Sequence, residues 1–459
     1  MPGSQSFDDN FLREMNARQV WHPMAHPADS QANLPVILTS GQGVRVTDID
    51  GHETVDAVGG LWNVNLGYSC EPVKKAIAEQ LAELPYANIF RGVSNDKVIQ
   101  LAHETVDFFA TDGMARAFFT SGGSDSVETA LRLARQYHKV NGEPSRTKFL
   151  SLKKGYHGTH FGGASVNGNA NFRTQYEPLL AGCFHIPAPY TYRNPFSETD
   201  PEALAAKCVA ALVDEINFQG AGTIAAFIME PILGAGGVIP PHASFMPAVR
   251  EVCDRHGILL IADEVITGFG RTGQWFASQT MELEPDMMAL AKGLTSGYVP
   301  MSAVMVGDRV ANKLVADGGE FYHGFTYSGH PVAAAVALAN LELIEREDMI
   351  TRVREDTGPY LAEALAPLAE HRIVGEIRTF GVLAAIELVK SKDGPEMFED
   401  TGATGVICRD HAINRGLMMR AVRDAMILSP ALTYTRADID ETIRIAGQAL
   451  DATADQLGL

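Results

Sequence analysis

Short, mostly apolar runs recur through the first two thirds of the chain. Each run has the length of one strand, and such strands fit a parallel sheet that is covered on both faces. Between the runs, apolar residues recur at three- and four-residue spacing, which predicts helices. The predicted strands include Phe149–Leu152, Thr223–Met229, Ile258–Ala262 and Pro300–Val306, and the predicted helices include Val73–Leu84, Val127–Tyr137, Glu202–Asn217 and Phe245–His256. This alternation predicts an α/β fold with a mostly parallel sheet flanked by helices.

Three of the apolar runs end at charged residues. Glu230 follows one run, Asp263 and Glu264 follow the next, and Lys292 ends the stretch that begins at Met287. In open α/β sheets the carboxyl ends of the strands face the ligand crevice. A carboxylate is costly to bury there unless a cation or a strong donor meets it. Asp263 and Lys292 therefore predict one polar site with two opposite charges, although a structural ion pair or two unrelated surface charges also fit the pattern.

A glycine pattern follows Asp263. Gly268–Gly273 matches the G-x-G-x-x-G spacing of dinucleotide-binding loops, which requires a following helix within a βαβ unit. Here the glycines come several residues after the predicted strand, and the segment from Gln274 does not open an obvious helix. The pattern therefore does not predict a nicotinamide site.

The remaining chain predicts further units. An N-terminal arm covers about 1–35, an alternating β-unit near Val44–Ile49 turns at Asp50-Gly51, and Ala181–Thr199 reads as a long loop. A long apolar helix at Ala333–Arg346 precedes an α+β pattern: a helix near Met349–Leu365, strands near Val374–Val389 and a helix near Thr404–Arg415. The predicted organisation is an N-terminal arm and small-domain part (1–60), a large domain (61–331) and a C-terminal small domain (332–459).

Composition narrows the possible functions. The 459-residue chain has 46% apolar and 20% charged residues, as globular proteins do, and a net charge of −19. This charge gives no support for binding nucleic acid or an anionic membrane. The five cysteines are scattered and form no CxxC motif. The sequence shows no signal peptide and no apolar run long enough for a bilayer. Together these features predict a cytoplasmic protein. His157 and His160 lack a third metal ligand, so no metal site is predicted.

The stretch that begins at Asp263 also carries a family resemblance. Asp263–Gly273, together with Ala291–Gly297, resembles the signature of the class III aminotransferases, fold type I enzymes that use pyridoxal 5′-phosphate (PLP). The resemblance covers the chain from about Trp21 to about Ala446 and is closest to the omega-amino acid and amine:pyruvate transaminases. It implies a large PLP-binding domain and a smaller α+β domain.

The resemblance implies roles around the cofactor ring. Lys292 is the implied catalytic amine that reacts with the PLP aldehyde, since a desolvated lysine with a lowered pKa is a good nucleophile and base. Asp263 is the implied catalytic anion that keeps the pyridine nitrogen protonated. The other implied cofactor-binding residues near the ring are Tyr156 and Val265 on its two faces, His157 and Glu230.

A glycine-serine turn precedes the helix predicted at Val127–Tyr137. Glycines let backbone N–H groups approach a ligand, and a helix N-terminus favours anions. Gly122, Gly123 and Ser124 therefore predict either phosphate contacts or only a tight turn. The resemblance implies that they hold the PLP phosphate, mainly through the backbone, and that Thr326 reaches the phosphate in the neighbouring subunit.

The implied substrate pocket contains Trp62, Phe90, Tyr156 and Arg420. Arg420 matches an arginine that binds a substrate carboxylate and swings away for an uncharged amine. From residue type alone, Trp62 also fits core packing and Arg420 also fits a structural role. The resemblance implies a homodimer, or a dimer of dimers, with Phe90 and Thr326 contributed across the interface.

Two positions bear on substrate choice. Arg91 stands where close relatives often have another aromatic residue. Ala235 stands where relatives that use 2-oxoglutarate often carry a glutamate. The expected function is a ping-pong transaminase that moves nitrogen from an amine or omega-amino acid to pyruvate. Transamination with 2-oxoglutarate, a related PLP aminomutase or decarboxylase, and a non-catalytic PLP-binding regulator are the alternatives.

Overall fold

The structure is a computed structural model that describes residues 7–108, 113–393 and 396–459; the first six residues of the expected N-terminal arm lie outside these ranges. The strands are β1 (Leu38–Gln42), β2 (Arg45–Asp48), β3 (Glu53–Asp56), β4 (Met114–Thr120), β5 (Lys148–Leu152), β6 (Cys183–Ile186), β7 (Ile224–Met229), β8 (Leu259–Asp263), β9 (Met287–Leu290), β10 (Ser302–Gly307), β11 (Val374–Phe380), β12 (Leu383–Leu388), β13 (Leu417–Met418), β14 (Arg420–Val422) and β15 (Ala425–Leu428).

The α-helices lie between and around these strands. They are α1 (Asp9–Gln19), α2 (Pro27–Ala32), α3 (Gly59–Trp62), α4 (Glu71–Glu83), α5 (Asp96–Asp107), α6 (Gly123–Val140), α7 (Phe161–Val166), α8 (Pro201–Gln219), α9 (Phe245–His256), α10 (Ala277–Thr280), α11 (Asp308–Asp317), α12 (Pro331–Arg346), α13 (Met349–Arg352), α14 (Gly358–Leu365), α15 (Ala403–Ile413) and α16 (Arg436–Leu457).

A seven-stranded sheet forms the centre of the large unit, with the strand order β4-β10-β9-β8-β7-β5-β6. All neighbouring pairs are parallel except those of β10, which runs antiparallel to β4 and β9. The described strands β7, β8, β9 and β10 are buried along their whole length. The predicted mostly parallel α/β sheet is therefore confirmed.

The strand β8 shows how the local sequence forms an element. Helix α9 packs Phe245, Met246 and Val249 into the core and ends at Gly257, whose φ of 67° is the left-handed conformation that glycine adopts without strain. This turn feeds the chain directly into β8, and the strand ends at Asp263.

Two four-stranded sheets flank this unit. One has the order β1-β2-β3-β13, and the other has the order β11-β12-β15-β14. The first joins the N-terminal strands to β13, because Leu417 and Met418 pair in parallel with Val55 and Asp56. The division into residues 1–60, 61–331 and 332–459 stays a prediction. No helix in the described ranges combines the length and the apolar composition needed to cross a bilayer.

The structure departs from the sequence expectations in three segments. The stretch Ala181–Thr199 contains the edge strand β6, which pairs only with β5. The helix expected over Met349–Leu365 is interrupted between α13 and α14 by a π-helical turn at Val353–Thr357. Helix α6 begins at Gly123 with Gly122 as its N-cap, four residues before the predicted start at Val127.

Candidate active site

A cavity of about 580 Å³ opens where several chain segments meet at the carboxyl ends of the central strands. Glu230 follows β7, Asp263 ends β8 and Lys292 lies just beyond β9. The lining also includes Trp62, Gly122, Gly123, Ser124, Tyr156, His157, Val265 and Arg420. All predicted cofactor- and substrate-binding residues except Phe90 and Thr326 thus line one cavity.

Lys292 lies on a strained turn at the cavity wall. Its φ is 45°, a left-handed value that a lysine seldom adopts without support. Burial lowers the pKa of the ammonium to about 7, with Asp263 and Glu230 opposing this shift and the cations Arg271 and Arg420 reinforcing it. The side chain is therefore poised to be a free amine near neutral pH.

A buried asparagine supports the Lys292 turn from helix α12. Asn340 donates its amide hydrogens to the carbonyls of Gly293 (2.8 Å) and Leu294 (3.0 Å). Its oxygen accepts from the Ser296 hydroxyl at 2.5 Å. Asn340 is fully buried, so all three bonds are shielded from water. These bonds hold the backbone directly after Lys292 in one conformation.

Asp263 has defined partners for both carboxylate oxygens. One oxygen accepts from the backbone N–H of Val265 at 3.1 Å, and the other lies 2.8 Å from His157 Nδ1. Because the carboxylate can only accept, His157 carries its proton on Nδ1 in this pair. The Asn167 amide oxygen accepts from the backbone N–H of His157, and its amide nitrogen donates to the Gly158 carbonyl at 2.9 Å. The imidazole is thereby fixed against Asp263, which is only 4% exposed.

Glu230 is a second buried acid beside this pair. It accepts from the backbone N–H groups of Tyr156 (2.9 Å) and Gly234 (2.8 Å). Burial raises the pKa of its carboxyl to about 7, and the negative charge of Asp263 adds to this effect against His157 and the two amides. Glu230 therefore ties the Tyr156 segment to the loop after β7.

The turn before α6 brings a helix N-terminus to the cavity. The first N–H groups of a helix have no acceptor within the helix. A side chain at Gly123 would come within 3.2 Å of Val265, so glycine allows close approach there. The Ser302 hydroxyl donates to the Gly122 carbonyl at 2.7 Å, which anchors the turn to β10. The turn thus presents backbone donors that suit an anion.

Both cations of the cavity lie near the ring of Trp62. Its ring lies 4.9 Å from Lys292 Nζ and 5.3 Å from the guanidinium carbon of Arg420. Trp62 is 4% exposed. Arg420 has no carboxylate partner among the described residues, and burial lowers its pKa. The cavity therefore contains a half-buried guanidinium that can take an anion.

Phe90 and Thr326 lie together outside this cavity. The Phe90 ring packs against Gly324, and the Tyr86 hydroxyl donates to the carbonyl of Thr326 at 2.8 Å. Phe90 is 52% exposed, and Thr326 is also exposed. Arg91 pairs with an exposed glutamate, Glu320. The expected contribution of Phe90 and Thr326 to a neighbouring subunit stays a prediction.

Comparison with known proteins identifies the family. A family model described as aminotransferase class-III matches residues 27–450. The chain belongs to the class III aminotransferases. It is accordingly an enzyme of the PLP-dependent aminotransferases with the fold type I architecture.

Curated relatives of this class III aminotransferase include enzymes with different acceptors. It is 44% identical over 418 residues to the putrescine–pyruvate aminotransferase of Pseudomonas aeruginosa, covering 91% of each chain. It is 37% identical over 457 residues to the diaminobutyrate–2-oxoglutarate transaminase of Halomonas elongata, covering 97% of each chain.

Two similar solved structures contain the cofactor as PLP or PMP. One is an amine transaminase from an uncultivated Pseudomonas species in its PLP-bound form, at 45% identity and a TM-score of 0.91, covering 96% of this chain and 99% of that one. The other is the omega transaminase of Pseudomonas jessenii in complex with PMP, at 35% identity and a TM-score of 0.95, covering 97% and 99%.

The residues of the cavity fit PLP by their chemistry. The turn before α6 suits a phosphate, the buried Asp263 suits a protonated ring nitrogen, and Lys292 suits an aldehyde. A carboxylate as buried as Asp263 needs a positive partner to repay its desolvation, and a bound pyridinium would supply one. These three groups are the ones that the aminotransferase would use to hold its cofactor.

Several residues of the site were not singled out from the sequence. Asn167 and Asn340 are buried polar side chains that support His157 and the Lys292 turn, and nothing in their sequence neighbourhoods marks them. Phe172 packs its ring 5.0 Å from that of Tyr156, edge to face. Pro23 and Met24 bring the N-terminal segment to the cavity, and the sequence indicated only an arm there.

Proposed function

We propose that this aminotransferase moves an amino group from an amine or an omega-amino acid to pyruvate by a ping-pong mechanism. The observation that carries the proposal is the single arginine of the cavity, Arg420, beside Lys292. Among the described cavity-lining residues, no other arginine is present. Pyruvate has one carboxylate, which one guanidinium can bind through two parallel hydrogen bonds.

The residue at position 235 supports the same acceptor. Ala235 lines the cavity with a methyl group, so no acidic side chain at this position competes with the substrate carboxylate for Arg420. The 44% identity to a putrescine–pyruvate aminotransferase agrees with an amine donor and with pyruvate. A dicarboxylate such as 2-oxoglutarate would need a second cation for its other carboxylate.

Each residue has a proposed role in the reaction. Bound PLP supplies an aldehyde for the substrate amine and a ring that takes up electrons. Lys292 would take a proton from the substrate carbon that carries the nitrogen, and return one to the keto acid in the second half of the cycle. Asp263, oriented by His157, would keep a proton on the ring nitrogen. Gly122, Gly123 and Ser124 would bind the phosphate.

The remaining residues have proposed supporting roles. Tyr156 and Val265 would cover the two faces of the cofactor, and Glu230 would hold the Tyr156 segment in place. The proposal includes a homodimer, or a dimer of dimers, in a cytoplasmic enzyme. The exposed Phe90 and Thr326 would complete the pocket and the phosphate site of the partner subunit.

Half-reactions of the PLP-loaded enzyme test the proposal. The visible absorbance is recorded after each of four amines is added without acceptor: β-alanine, taurine, putrescine and 1-phenylethylamine. We expect at least one donor to remove the cofactor band, and pyruvate but not 2-oxoglutarate to restore it. Lys292→Ala is the control that should show neither change at the native rate.

A matched variant separates the two halves of the cycle. Arg420→Met keeps an unbranched side chain and removes its charge, so we expect an uncharged amine to react as before and pyruvate to restore the band slowly. Restoration by 2-oxoglutarate alone would contradict the proposed acceptor. Equal restoration by pyruvate in the wild type and in Arg420→Met would contradict the role of Arg420.

Transamination with 2-oxoglutarate is the second candidate function. The observation in its favour is the 37% identity to a diaminobutyrate–2-oxoglutarate transaminase over nearly the whole chain. The same half-reactions decide between the acceptors, because each keto acid is added separately to enzyme that a donor has already converted.

A further inference from the structure

A second, smaller cavity lies behind the wall of the active site. Its volume is about 70 Å³, and Ala235 borders both cavities. The lining comes from the segment around Lys154, the loop at Asn169, and the turn at Arg423 between β14 and β15. A water molecule needs about 10–15 Å³ of such space, so the cavity has room for a group of several atoms.

Lys154 is the central cation of this cavity. Its ammonium lies 4.9 Å from the centre of the Tyr190 ring, and it makes no hydrogen bond or ion pair with the described residues. Burial lowers the pKa of Lys154, and the nearby cation Arg423 lowers it further while Glu387 opposes the shift. A half-buried ammonium without a counter-ion is destabilised by its partial loss of water, and an anion could stabilise it.

Arg423 reaches the same cavity from the β14–β15 turn. Its φ is 54°, so the turn holds an arginine in a left-handed conformation that favours glycine. Its guanidinium donates to the Asn169 amide oxygen at 3.3 Å, a neutral acceptor. The described residues supply no carboxylate to Arg423.

The acids around the cavity are already bound by donors. Asp424 accepts from the backbone N–H groups of Gly402 (2.9 Å) and Gly405 (3.1 Å). Glu387 accepts from Arg378 at 2.8 Å. Neither acid therefore neutralises Lys154 through a direct bond.

The local charge balance is positive. Three cations line the cavity, Lys154, Arg193 and Arg423, against two carboxylates, those of Glu387 and Asp424. This local excess contrasts with a chain whose net charge is −19. An anion that entered the cavity would meet a positive potential and would pair with Lys154 and Arg423.

We propose that this cavity is an anion site that binds a small inorganic oxyanion, phosphate or sulfate, between Lys154 and Arg423. The ammonium and the guanidinium supply several N–H donors, as oxyanions require. The bound anion would link the Arg423 turn to the Asn169 loop. Both segments continue into the active-site wall, through Arg420 and Phe172.

Sulfate binding to the PLP-loaded enzyme tests the proposal by isothermal titration calorimetry. Sodium sulfate is the probe, and the ionic strength is kept constant with sodium chloride so that general screening does not change. We expect one saturable site per chain in the wild type. Lys154→Met should weaken the affinity at least tenfold, because it removes the central cation and keeps the bulk of the side chain.

Two further variants make the result specific. Lys153→Met removes the same charge from the adjacent exposed residue and should bind sulfate as the wild type does. Arg423→Gly removes the second cation and relieves the positive φ, so it should fold well and also bind at least tenfold more weakly.

The outcomes either support or overturn the site. Loss of binding in Lys154→Met with retention in Lys153→Met supports it. Absence of a saturable site in the wild type overturns it, and so does undiminished binding in Lys154→Met, which would assign the sulfate to another location. If Lys154→Met does not fold, undiminished binding in Arg423→Gly overturns the proposal.

Discussion

The titration of Lys292 is the most direct test of how the cavity prepares its amine. Burial lowers the pKa of Lys292 from its usual 10.5 to about 7, and the two anions Asp263 and Glu230 limit the shift. At pH 7 about half of the Lys292 side chains would then be free amines, against roughly one in three thousand for a lysine at 10.5. We therefore expect the reactivity of Lys292 in the apoenzyme to rise up to about pH 7 and to level off above about pH 8.

Competitive labelling measures this curve. The apoenzyme is pulsed with limiting acetic anhydride at pH values from 5 to 10, and the acetylated fraction of the Lys292 peptide is read by mass spectrometry against peptides of exposed lysines. Two variants should move the midpoint in opposite directions. Asp263→Asn removes an anion that favours the ammonium and should lower the midpoint, whereas Arg420→Met removes a nearby cation and should raise it.

A clear result would refute the reasoning. If the labelling of Lys292 rose tenfold per pH unit up to pH 10, as for an ordinary lysine, burial in this cavity would not depress its pKa.

The direction of the pKa shift of Lys292 also determines how the stability of the fold depends on pH. Because the unfolded chain binds the Lys292 proton more tightly, the unfavourable contribution of Lys292 to folding is complete below pH 7 and disappears as the pH rises from about 7 to 10.5.

Three substitutions test other parts of the site. Lys292→Ala should lower the transamination rate at least about 100- to 10,000-fold without changing the circular dichroism spectrum, and near-native turnover would exclude it as the proton carrier. Asn340→Ala should lower the free energy of unfolding by about 2–4 kcal/mol in urea titrations, since it leaves the carbonyls of Gly293 and Leu294 without their buried donor; a change below about 0.5 kcal/mol would show that the turn is held otherwise. Glu264→Gln should cost about 2–4 kcal/mol by the same measurement, because an amide NH₂ would face N–H groups, yet should leave the Lys292 labelling midpoint unchanged.

Glu264 shows how strand geometry separates two adjacent acids. Asp263 points into the cavity, whereas the fully buried Glu264 accepts hydrogen bonds from Thr267, Ala277 and Ser278 on the other side. Successive side chains of a strand point to opposite faces. The sequence marks both residues as charges at the end of an apolar run, and only the family resemblance distinguishes the one that faces a ligand.

The sequence predicted the buried strands well because their apolar composition is uniform. It missed β6, whose four residues are mostly half-buried and lie within a proline-rich stretch. An edge strand pairs on one side only, so neither a long apolar run nor a strict alternation is required of it. The order of the strands in the sheet could not be predicted from the pattern of apolar residues, because strand pairing depends on contacts between distant segments.

The sequence also did not reveal the contacts that support the site residues, because these contacts join distant segments of the chain. His157 meets Asp263 across 106 positions of the chain, and Asn340 reaches Gly293 across 47. Asn340 lies in an apolar helix, where a single polar residue carries no sign of its partner. Residues that hold a catalytic group in place are therefore recognisable only once the fold brings the segments together.

The arrangement around Trp62 joins substrate binding to the state of the amine. Lys292 and Arg420 lie near the same ring, and the positive charge of Arg420 helps to lower the pKa of Lys292. A carboxylate bound to Arg420 cancels that charge, so it favours the protonated form of Lys292. An uncharged amine leaves Arg420 bare and favours the free amine. An uncharged amine donor and the acceptor pyruvate would thus each promote the protonation state that their own half of the reaction needs, since the first half removes a proton from carbon and the second returns it.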